Sequence, residues 1–268
     1  MDRSLRSPSE LRPAEARALF RTGALSGPSA GFSFGFAQAN VVILPAAAAD
    51  WFEAFCRANH RACPLLERTE VGDPEPRRSA PGADLRTDLP RYRIHRSGQA
   101  PEERREVVEA WTDDAVGFLL GCSFSFEAAL SEAGLRPRYL EEGRNVPMYR
   151  TNRATTPAGP FRGPLAVSMR PIPSSRVNDA VRITAAFADA HGAPIHVGEP
   201  AGLGIADLAA PDYGDSSTVH PGEVPLFWAC GVTSHLALIN ALETGAIPWA
   251  ITHAPGHMFI TDRPGRAR

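Results

Sequence analysis

Short apolar runs alternate with helix-forming segments through the second half of this chain of 268 residues. Each run is short enough for a buried strand and is bounded by Gly, Pro or a change of periodicity. The predicted strands are "GPLAVSMRPIP", "APIHVG", "VPLFWAC" and "PWAITHA", and the predicted helices are "VNDAVRITAAFADAHG" and "GVTSHLALINALETG". Strands that alternate with helices predict an α/β fold.

The first half is predicted to hold further helices and strands around a long loop. One helix begins with Pro13 in its first turn and ends before Gly23. A buried strand, "VVILP", precedes the helical segment "AAAADWFEAFCRANH". Residues 64–90 are rich in Pro, Gly, Asp and Arg, and a loop of that length is usually functional or disordered. The segment "RYRIHRSG" alternates like an exposed strand, and residues 103–119 and 124–133 are predicted to be helical.

All 28 basic residues are arginine, and no lysine occurs in the chain. Schiff-base chemistry needs a lysine amine, so pyridoxal phosphate enzymes and lysine aldolases are excluded. The phosphate loop of Walker type also needs its lysine. A cation that binds the ligand must therefore be a guanidinium, which favours two-point contact with a carboxylate.

Charge and cysteine content narrow the partners and the compartment. A net charge of -2 gives no electrostatic basis for binding nucleic acid, and no apolar run approaches the roughly 20 residues of a membrane-spanning helix. The four cysteines are too widely spaced for a zinc knuckle or a CxxC pair, so we expect reduced thiols in a cytoplasmic protein. Asp2, Glu10 and Glu15 argue against a transit peptide at the start of the chain.

Two histidines lie in "ITHAPGHMFITD", the segment from Ile251 to Asp262. His253 and His257 have the spacing of a zinc helix, but Pro255 and Gly256 between them are incompatible with a helix interior. The segment is therefore predicted to form strand, turn and strand. A turn after a buried strand is a common place for active-site groups, so either histidine is a candidate acid or base. The alternative is a pair of core histidines bonded to the backbone.

Three other polar segments are candidates for ligand binding. "GCSFSFE" places Cys122, Ser123 and Glu127 at a helix start, where carboxylates bind and thiol pKa values fall, although ordinary helix capping would also explain it. The other two segments are rich in Pro and Gly, and structural Arg–Asp pairing is their alternative explanation. Their candidate residues are Asn145, Tyr149 and Arg150 in "NVPMYRTN", and Asp84, Arg86 and Asp88 in "GADLRTDLPRY".

Two familiar motifs are present only in part. "GFSFG" matches the nucleophile elbow of a serine hydrolase at Ser33, but an elbow needs a strand before it and a helix after it. A flexible glycine loop is the competing explanation. "GLGIAD" has two of the three glycines of a dinucleotide fingerprint, so NAD binding is not predicted.

Nine segments of the chain follow one another in the order seen in the D-glutamate cyclase family, which the sequence therefore resembles from about Gly23 to Asp262. Among them are "CPLLERTEVGDPEP", "PGADLRTDLPRYRI", "GCSFSFEAAL", "NVPMYRTN", "EVPLFWACGVT" and "ITHAPGHMFITD". The bacterial members of that family are labelled hydro-lyases. The resemblance implies a three-layer α/β domain with mixed sheets, expected at residues 1–115 and 200–268, and a smaller α+β domain at residues 116–199. It also implies a lyase that converts D-glutamate to 5-oxo-D-proline with loss of water.

The implied reaction sets the roles that side chains must fill. A base must take a proton from the substrate ammonium group, and an acid must help an oxygen leave. His253, His257 and Glu127 are the candidates for these two roles. An arginine should hold the α-carboxylate, and the candidates are Arg86, Arg150 and Arg170.

Other features of the site stay open at this point. Asp84 and Asp88 would orient a histidine or bind the ammonium group. A divalent metal that activates the carboxyl group stays open, because no spacing identifies its ligands. A homo-oligomer also stays open. A binding protein for a small carboxylate or amino acid would need an arginine anchor but no acid–base pair, and this is the alternative function.

Overall fold

The computed structural model describes residues 7–265 of the chain. Its α helices are α1 (Pro13–Thr22), α2 (Ala46–Ala58), α3 (Phe124–Glu132), α4 (Arg138–Glu141), α5 (Val177–Ala185) and α6 (Val232–Glu243). Its strands are β1 (Phe36–Pro45), β2 (Leu65–Arg68), β3 (Tyr92–Arg96), β4 (Glu102–Arg104), β5 (Ala115–Gly121), β6 (Met148–Ala154), β7 (Pro164–Pro173), β8 (His196–Val197), β9 (Glu223–Ala229), β10 (Trp249–His253) and β11 (Phe259–Pro264). Short 3-10 turns occupy Pro8–Glu10, Ser174–Arg176, Ala188–Ala190 and Pro200–Leu203.

The strands form two sheets, and every strand pair is antiparallel. The larger sheet has the order β2-β5-β1-β10-β3-β4, with β11 also paired to β1. The smaller sheet has the order β6-β7-β9-β8. Sheets with helices on them confirm the predicted α/β class.

Most local predictions are confirmed. Helix α1 starts at Pro13 and ends at Gly23, whose φ of 71° is the left-handed conformation that glycine adopts without strain. The histidine segment forms β10, a turn and β11, as the Pro-Gly pair predicts. The elbow hypothesis for Ser33 fails on context, because turns precede this residue and a strand, β1, follows it.

The helix predicted over residues 103–119 is wrong. This stretch contains β4, several turns and then β5, all of whose residues are buried. Strand β5 lies between β1 and β2, so both of its edges are paired. Its side chains are buried on both faces of the sheet. A central strand has a continuous apolar run instead of alternation, and such a run cannot be distinguished from a buried helix by periodicity.

Each sheet buries both of its faces. Helices α2 and α6 pack on one face of the larger sheet through residues such as Phe52, Phe118 and Leu238. The segment at residues 64–90, predicted as a long loop, contains strand β2, and the rest of it covers the opposite face with buried Leu85 and Leu89, so it is a part of the core. Helices α3 and α5 pack on the smaller sheet. No helix among residues 7–265 is both long enough and apolar enough to cross a membrane.

The division of the strands between the two sheets does not follow the domain boundaries expected at residues 116 and 200. Strand β5 extends to Gly121 and lies inside the larger sheet. Strand β9 starts at Glu223 and lies inside the smaller sheet, between β7 and β8. The division of the chain into domains stays a prediction. What matters for the site is that β5 and β9 both end beside a cluster of buried side chains that lies between the sheets.

Candidate active site

A cavity of about 70 Å³ lies where β5, β9 and β10 end. Apolar walls come from residues such as Val42, Phe124, Val146, Met148 and Met258. The polar side chains that line it are Asn40, Arg93, Cys122, Ser123, Asn145, Tyr213, Cys230, Ser234, His235, Thr252 and His253. A mostly apolar cavity with a few converging polar groups is the usual form of a small-molecule site.

His253 enters the cavity because two strands share one edge of β1. Strand β10 pairs at Val42 and Ile43, and β11 pairs further back at Gln38 and Ala39. The turn between them leaves the backbone of Val41 without a strand partner on this edge. The Nδ1 atom of His253 lies 3.2 Å from both the nitrogen and the oxygen of Val41, so the imidazole replaces the missing strand contact.

This contact suits His253 to proton transfer. Nδ1 either accepts from the Val41 N–H or donates to the Val41 carbonyl, so the backbone can support both tautomers. Nε2 has no hydrogen-bond partner among the described residues. Burial lowers the pKa of His253 to about 4, although the Val41 contact opposes the shift. The imidazole is therefore neutral near pH 7 and can present either a lone pair or an N–H.

Two further histidines lie behind and beside His253. His235, on α6, lines the cavity, and its ring centroid is 5.3 Å from that of His95. The Nε2 atom of His95 lies 3.0 Å from the Thr252 hydroxyl. Burial lowers the pKa of His235 to about 3 and that of His95 to about 4. This side of the cavity therefore holds several uncharged imidazoles.

Cys122 and Cys230 each occupy the link between a strand and a helix. Cys122 follows β5 and precedes α3, and Cys230 follows β9 and precedes α6. Burial raises the pKa of Cys122 to about 12 and that of Cys230 to about 11, while hydrogen bonds from the backbone N–H groups of Phe124 and Val232 oppose the shifts. Both thiols are therefore protonated at neutral pH.

A buried ion pair lies behind Ser123. The Arg170 guanidinium donates to Oε1 of Glu127 at 2.6 Å and to the Ser123 hydroxyl at 3.0 Å. Tyr139 also donates to Glu127, and the rings of Phe126 and Trp228 lie against the guanidinium. Burial raises the pKa of Glu127, and Arg170 and Tyr139 oppose this. Neither Arg170 nor Glu127 lines the cavity.

The arginine that lines the cavity is Arg93 on β3, whose guanidinium forms an ion pair with Glu103 at 2.9 Å. Arg150 lies outside the lining and donates to the Tyr213 hydroxyl at 2.9 Å. Tyr213 and Asn145 do line the cavity. Arg150 is therefore separated from the ligand space by one aromatic ring.

The remaining candidates from the sequence lie elsewhere. His257 does not line the cavity, and its Nδ1 contacts the Pro255 carbonyl at 2.8 Å. Arg86 is paired with Asp84 at 2.8 Å, and Asp88 is paired with Arg21 at 2.6 Å. The Tyr149 hydroxyl donates to the Leu208 carbonyl. Of the predicted site residues, the structure brings together His253, Cys122, Ser123 and Asn145.

Sequence patterns did not identify Asn40, Arg93, Cys230 or His235 as site residues. One signal for Cys230 was present, because "CGVTSH" repeats the pattern of "CSFSFE": a cysteine, a small residue, and a hydroxyl residue three positions on. Asn40 carries no such signal. Its importance depends on contacts with segments that are distant in the chain.

The donor set in this cavity does not indicate a metal. Among residues 7–265, no group of three or more His, Cys, Asp or Glu side chains is placed to hold a metal ion. The acidic residues nearest in sequence to the cavity motifs are engaged with arginines, as Glu127 is with Arg170.

Comparison with known proteins gives a family match. The family model described as D-glutamate cyclase matches residues 116–262, which include both cysteines and the β10–β11 turn. Three bacterial proteins named "Putative hydro-lyase" are similar over nearly the full length. The protein of Stutzerimonas stutzeri is 53% identical over 94% of each chain. That of Rubrobacter xylanophilus is 55% identical over 93% of this chain and 95% of its own. That of Saccharopolyspora erythraea is 53% identical over 94% and 96%.

Proposed function

This chain belongs to the D-glutamate cyclase family and is a hydro-lyase, and we propose that it acts on D-glutamate, which it closes to 5-oxo-D-proline with release of water. The observation that carries the proposal is the neutral, partly buried His253 in a cavity at which two helices begin. It offers a base that is uncharged near pH 7, next to backbone N–H groups that favour a carboxylate.

The size of the cavity favours a small acid. Its volume of about 70 Å³ is far below the roughly 300–1,000 Å³ of sites for drug-sized ligands. Helices α3 and α6 both begin at the cavity, so the positive ends of two helix dipoles meet there. These two ends suit a substrate that carries a carboxylate at each end.

Arg93 is the best-placed anchor for a carboxylate at the rim. Its pairing with Glu103 holds the guanidinium on β3 beside the cavity. Asn40 is placed for the ammonium group, because its Oδ1 has no hydrogen-bond partner among the described residues. The side-chain nitrogen of Asn40 donates to the carbonyl of Gly121 at 2.9 Å, which leaves Oδ1 as an acceptor for a ligand.

His253 then moves the proton that cyclisation requires. In the tautomer with the proton on Nδ1, its Nε2 takes a proton from the α-ammonium group. The freed amine attacks the γ-carboxyl carbon, an N–C bond forms and a C–O bond breaks. Nε2 passes this first proton to a γ-carboxyl oxygen, and after the attack it takes a second proton from the same nitrogen and delivers it to that oxygen, which leaves as water. The Ser123 hydroxyl, which accepts from Arg170, keeps its own proton to donate to the reacting carboxyl group.

The activity test is direct. Purified protein is incubated separately with D-glutamate and L-glutamate, and the lactam is measured by mass spectrometry as a product lighter by one water. We expect the D-enantiomer to be consumed faster. Binding of D-glutamate without any lactam would instead support a binding protein for small amino acids.

A matched pair of arginine variants tests the anchor. Arg93 and Arg86 are 32% and 33% exposed, and each is in an ion pair. Arg93→Met should raise KM by about tenfold to a hundredfold, because a charged hydrogen bond contributes roughly 1.5–3 kcal/mol. Arg86→Met, away from the cavity, should leave KM close to that of the parent. Equal effects of the two substitutions would remove Arg93 from the site.

A further inference from the structure

The two cysteine junctions have the same local structure. Ser123 and Gly231, which follow the cysteines, have φ/ψ of -59°/-21° and -59°/-20°. Each cysteine N–H donates to a neighbouring strand, Cys122 to the Gln38 carbonyl at 3.1 Å and Cys230 to the Ala166 carbonyl at 3.0 Å. The chain therefore leaves the larger and the smaller sheet in one repeated conformation.

The repeat extends into the helices. Three residues after each cysteine is a hydroxyl residue, Ser125 or Thr233. The Ser125 hydroxyl accepts from the Gln38 N–H at 3.0 Å, and the Thr233 hydroxyl accepts from the Ala166 N–H at 2.9 Å. In both junctions, the strand residue that binds the cysteine N–H also binds this hydroxyl. Two copies of one strand-to-helix junction thus place two thiols, one from each sheet, in the wall of one cavity.

Asn40 contacts both cysteine junctions, and its hydrogen bonding indicates that the cavity binds a ligand. Its side-chain nitrogen bonds to the carbonyl that precedes Cys122, and its amide group packs against Gly231, which follows Cys230. A Cβ atom on Gly231 would lie only 2.4 Å from that nitrogen. Asn40 is 6% exposed and lines the cavity, and its Oδ1 has no hydrogen-bond partner among residues 7–265. An acceptor without a protein donor, on a side chain that contacts both cysteine junctions, is an arrangement that a bound donor, such as an ammonium group, would complete.

We propose that Cys122 and Cys230 form an acid–base pair that removes and returns the α-hydrogen of a small amino acid, which gives the cavity a racemase activity. One sulfur, as thiolate, takes the proton from Cα, and the electron pair of the broken C–H bond delocalises into the carboxylate. The other sulfur, as thiol, donates its proton to the opposite face of Cα. The configuration inverts, the two sulfurs exchange protonation states, and no oxidant or reductant is needed.

The thiolate forms with the substrate in place. Burial favours the protonated form of both thiols, and ionisation of Cys230 would raise the pKa of Cys122 further. The substrate ammonium group and the two helix N-termini supply positive charge, and Arg170 favours the thiolate of Cys230, whereas Glu127 opposes a thiolate at Cys122. One thiol proton leaves to water at the rim as the ammonium group enters. Mutual repulsion prevents a second ionisation, so the pair holds one thiolate and one thiol.

This inference rests on the proposed function only in taking the same small amino acids as ligands. The experiment uses the full chain in D₂O with D-glutamate and L-glutamate in separate samples. Proton NMR follows loss of the α-hydrogen, chiral chromatography follows inversion, and mass spectrometry follows the lactam. We expect the parent protein to exchange the α-hydrogen of both enantiomers and to interconvert them.

Cysteine variants then show which cysteine acts on which face of the substrate Cα. Cys122→Ser and Cys230→Ser should each slow inversion by about a hundredfold or more, the scale of a lost general acid or base. Each variant should still exchange the α-hydrogen of one enantiomer, and the two should retain opposite enantiomers. Retained exchange in the same sample shows that the variant is folded. Cys56→Ser is the matched control, because that buried thiol lies in the core around α2 and does not line the cavity.

The outcomes separate the two proposals. Lactam without α-exchange would overturn the thiol pair and leave the cyclase activity in place. Exchange without lactam would support the thiol pair and count against cyclisation. A sample that shows neither lactam nor α-exchange would overturn both proposals. Exchange at the parent rate in both cysteine variants would also overturn the thiol pair.

Discussion

Glu127 and His235 occupy equivalent positions in the two cysteine junctions, each five residues after its cysteine. Their surroundings are opposite. Glu127 is 3% exposed, paired with Arg170 and absent from the cavity wall. His235 lines the cavity and has no hydrogen bond within residues 7–265, although its ring approaches those of His95 and Tyr213. The repeated backbone therefore supports two different chemical tasks.

This difference shows that the charged groups and the uncharged imidazoles lie on separate sides of the site. Behind α3, the guanidinium of Arg170 is fixed by Glu127, Ser123 and aromatic rings. Beside α6, the groups are imidazoles whose pKa values burial has lowered. We infer that the α3 side fixes the electrostatic potential of the cavity and that the histidine side exchanges protons.

The largest expected effect is on the histidine side. His253→Gln should lower kcat/KM for lactam formation by about 10²–10⁴, because a general base is lost while a polar side chain can still reach Val41. His257→Gln is the matched control from the same turn, and its rate should be close to that of the parent. Thermal melting checks that both variants fold. A larger loss for His257→Gln than for His253→Gln would reverse this assignment.

The fixed-charge side is tested by stability. Arg170→Met should lower the free energy of unfolding by about 3–5 kcal/mol, because Glu127 would be left buried without its ion partner. The double variant Arg170→Met/Glu127→Leu should recover most of that loss. Urea unfolding measures both.

The control for this pair is an ion pair on the surface. Arg176 and Asp179 are each 39% exposed, and Arg176→Met should cost no more than about 1 kcal/mol. If Arg170→Met were no more destabilising than Arg176→Met, the buried pair would not be the support that the structure indicates.

A smaller effect is expected where the junctions differ by one side chain. Gly231→Ala should cost about 1–3 kcal/mol of stability, because the added Cβ would overlap the Asn40 amide. Its backbone conformation is helical, so strain is not the cause, and Ser123 has a side chain in the same conformation. Gly27→Ala is the control, since nothing lies within 4 Å of its added Cβ. Equal unfolding curves for the parent and Gly231→Ala would show that Asn40 can move aside.

The local structure of this site was accessible from sequence, and its assembly was not. Pro255 and Gly256 between two apolar runs predicted the strand, turn and strand around His253, because turn chemistry and strand periodicity are local properties. The cavity depends on distant pairs such as Asn40 with Gly231. No periodicity reports which residues of separate segments will meet.

The arginines show the same limit. Their residue type was informative, because the absence of lysine makes a guanidinium the anchor. The carboxylate partners of the arginines could not be predicted from sequence. Arg86 donates to Asp84, two residues away, and Arg170 donates to Glu127, 43 residues away. Arg93 is paired with Glu103 as well, so pairing with a carboxylate does not distinguish the three arginines. Arg93, in an ordinary strand segment, is the one that reaches the cavity wall.

The smallest effect that we expect is a pH dependence of stability on the fixed-charge side. His191 is 2% exposed and its Nδ1 lies 2.8 Å from the Arg61 carbonyl. Burial lowers the pKa of His191 to about 4, the Arg61 contact opposes this, and the charge of Arg170 adds to the lowering. An unfolded histidine titrates near pH 6.5. Between these values the unfolded chain binds a proton that the folded chain does not, so stability falls as the pH drops from about 6.5 toward 4.

Replacing this imidazole should remove its share of that loss. His191→Asn suits the left-handed backbone at this position, where φ is 77°. Between pH 7.5 and pH 5, the variant should lose less unfolding free energy than the parent by up to about 2 kcal/mol. Urea unfolding at the two pH values measures this difference. His220→Asn, on the exposed surface, is the control for removing an imidazole. If His191→Asn and His220→Asn had the same pH dependence as the parent, His191 would not be the neutral buried group that couples stability to pH beside Arg170.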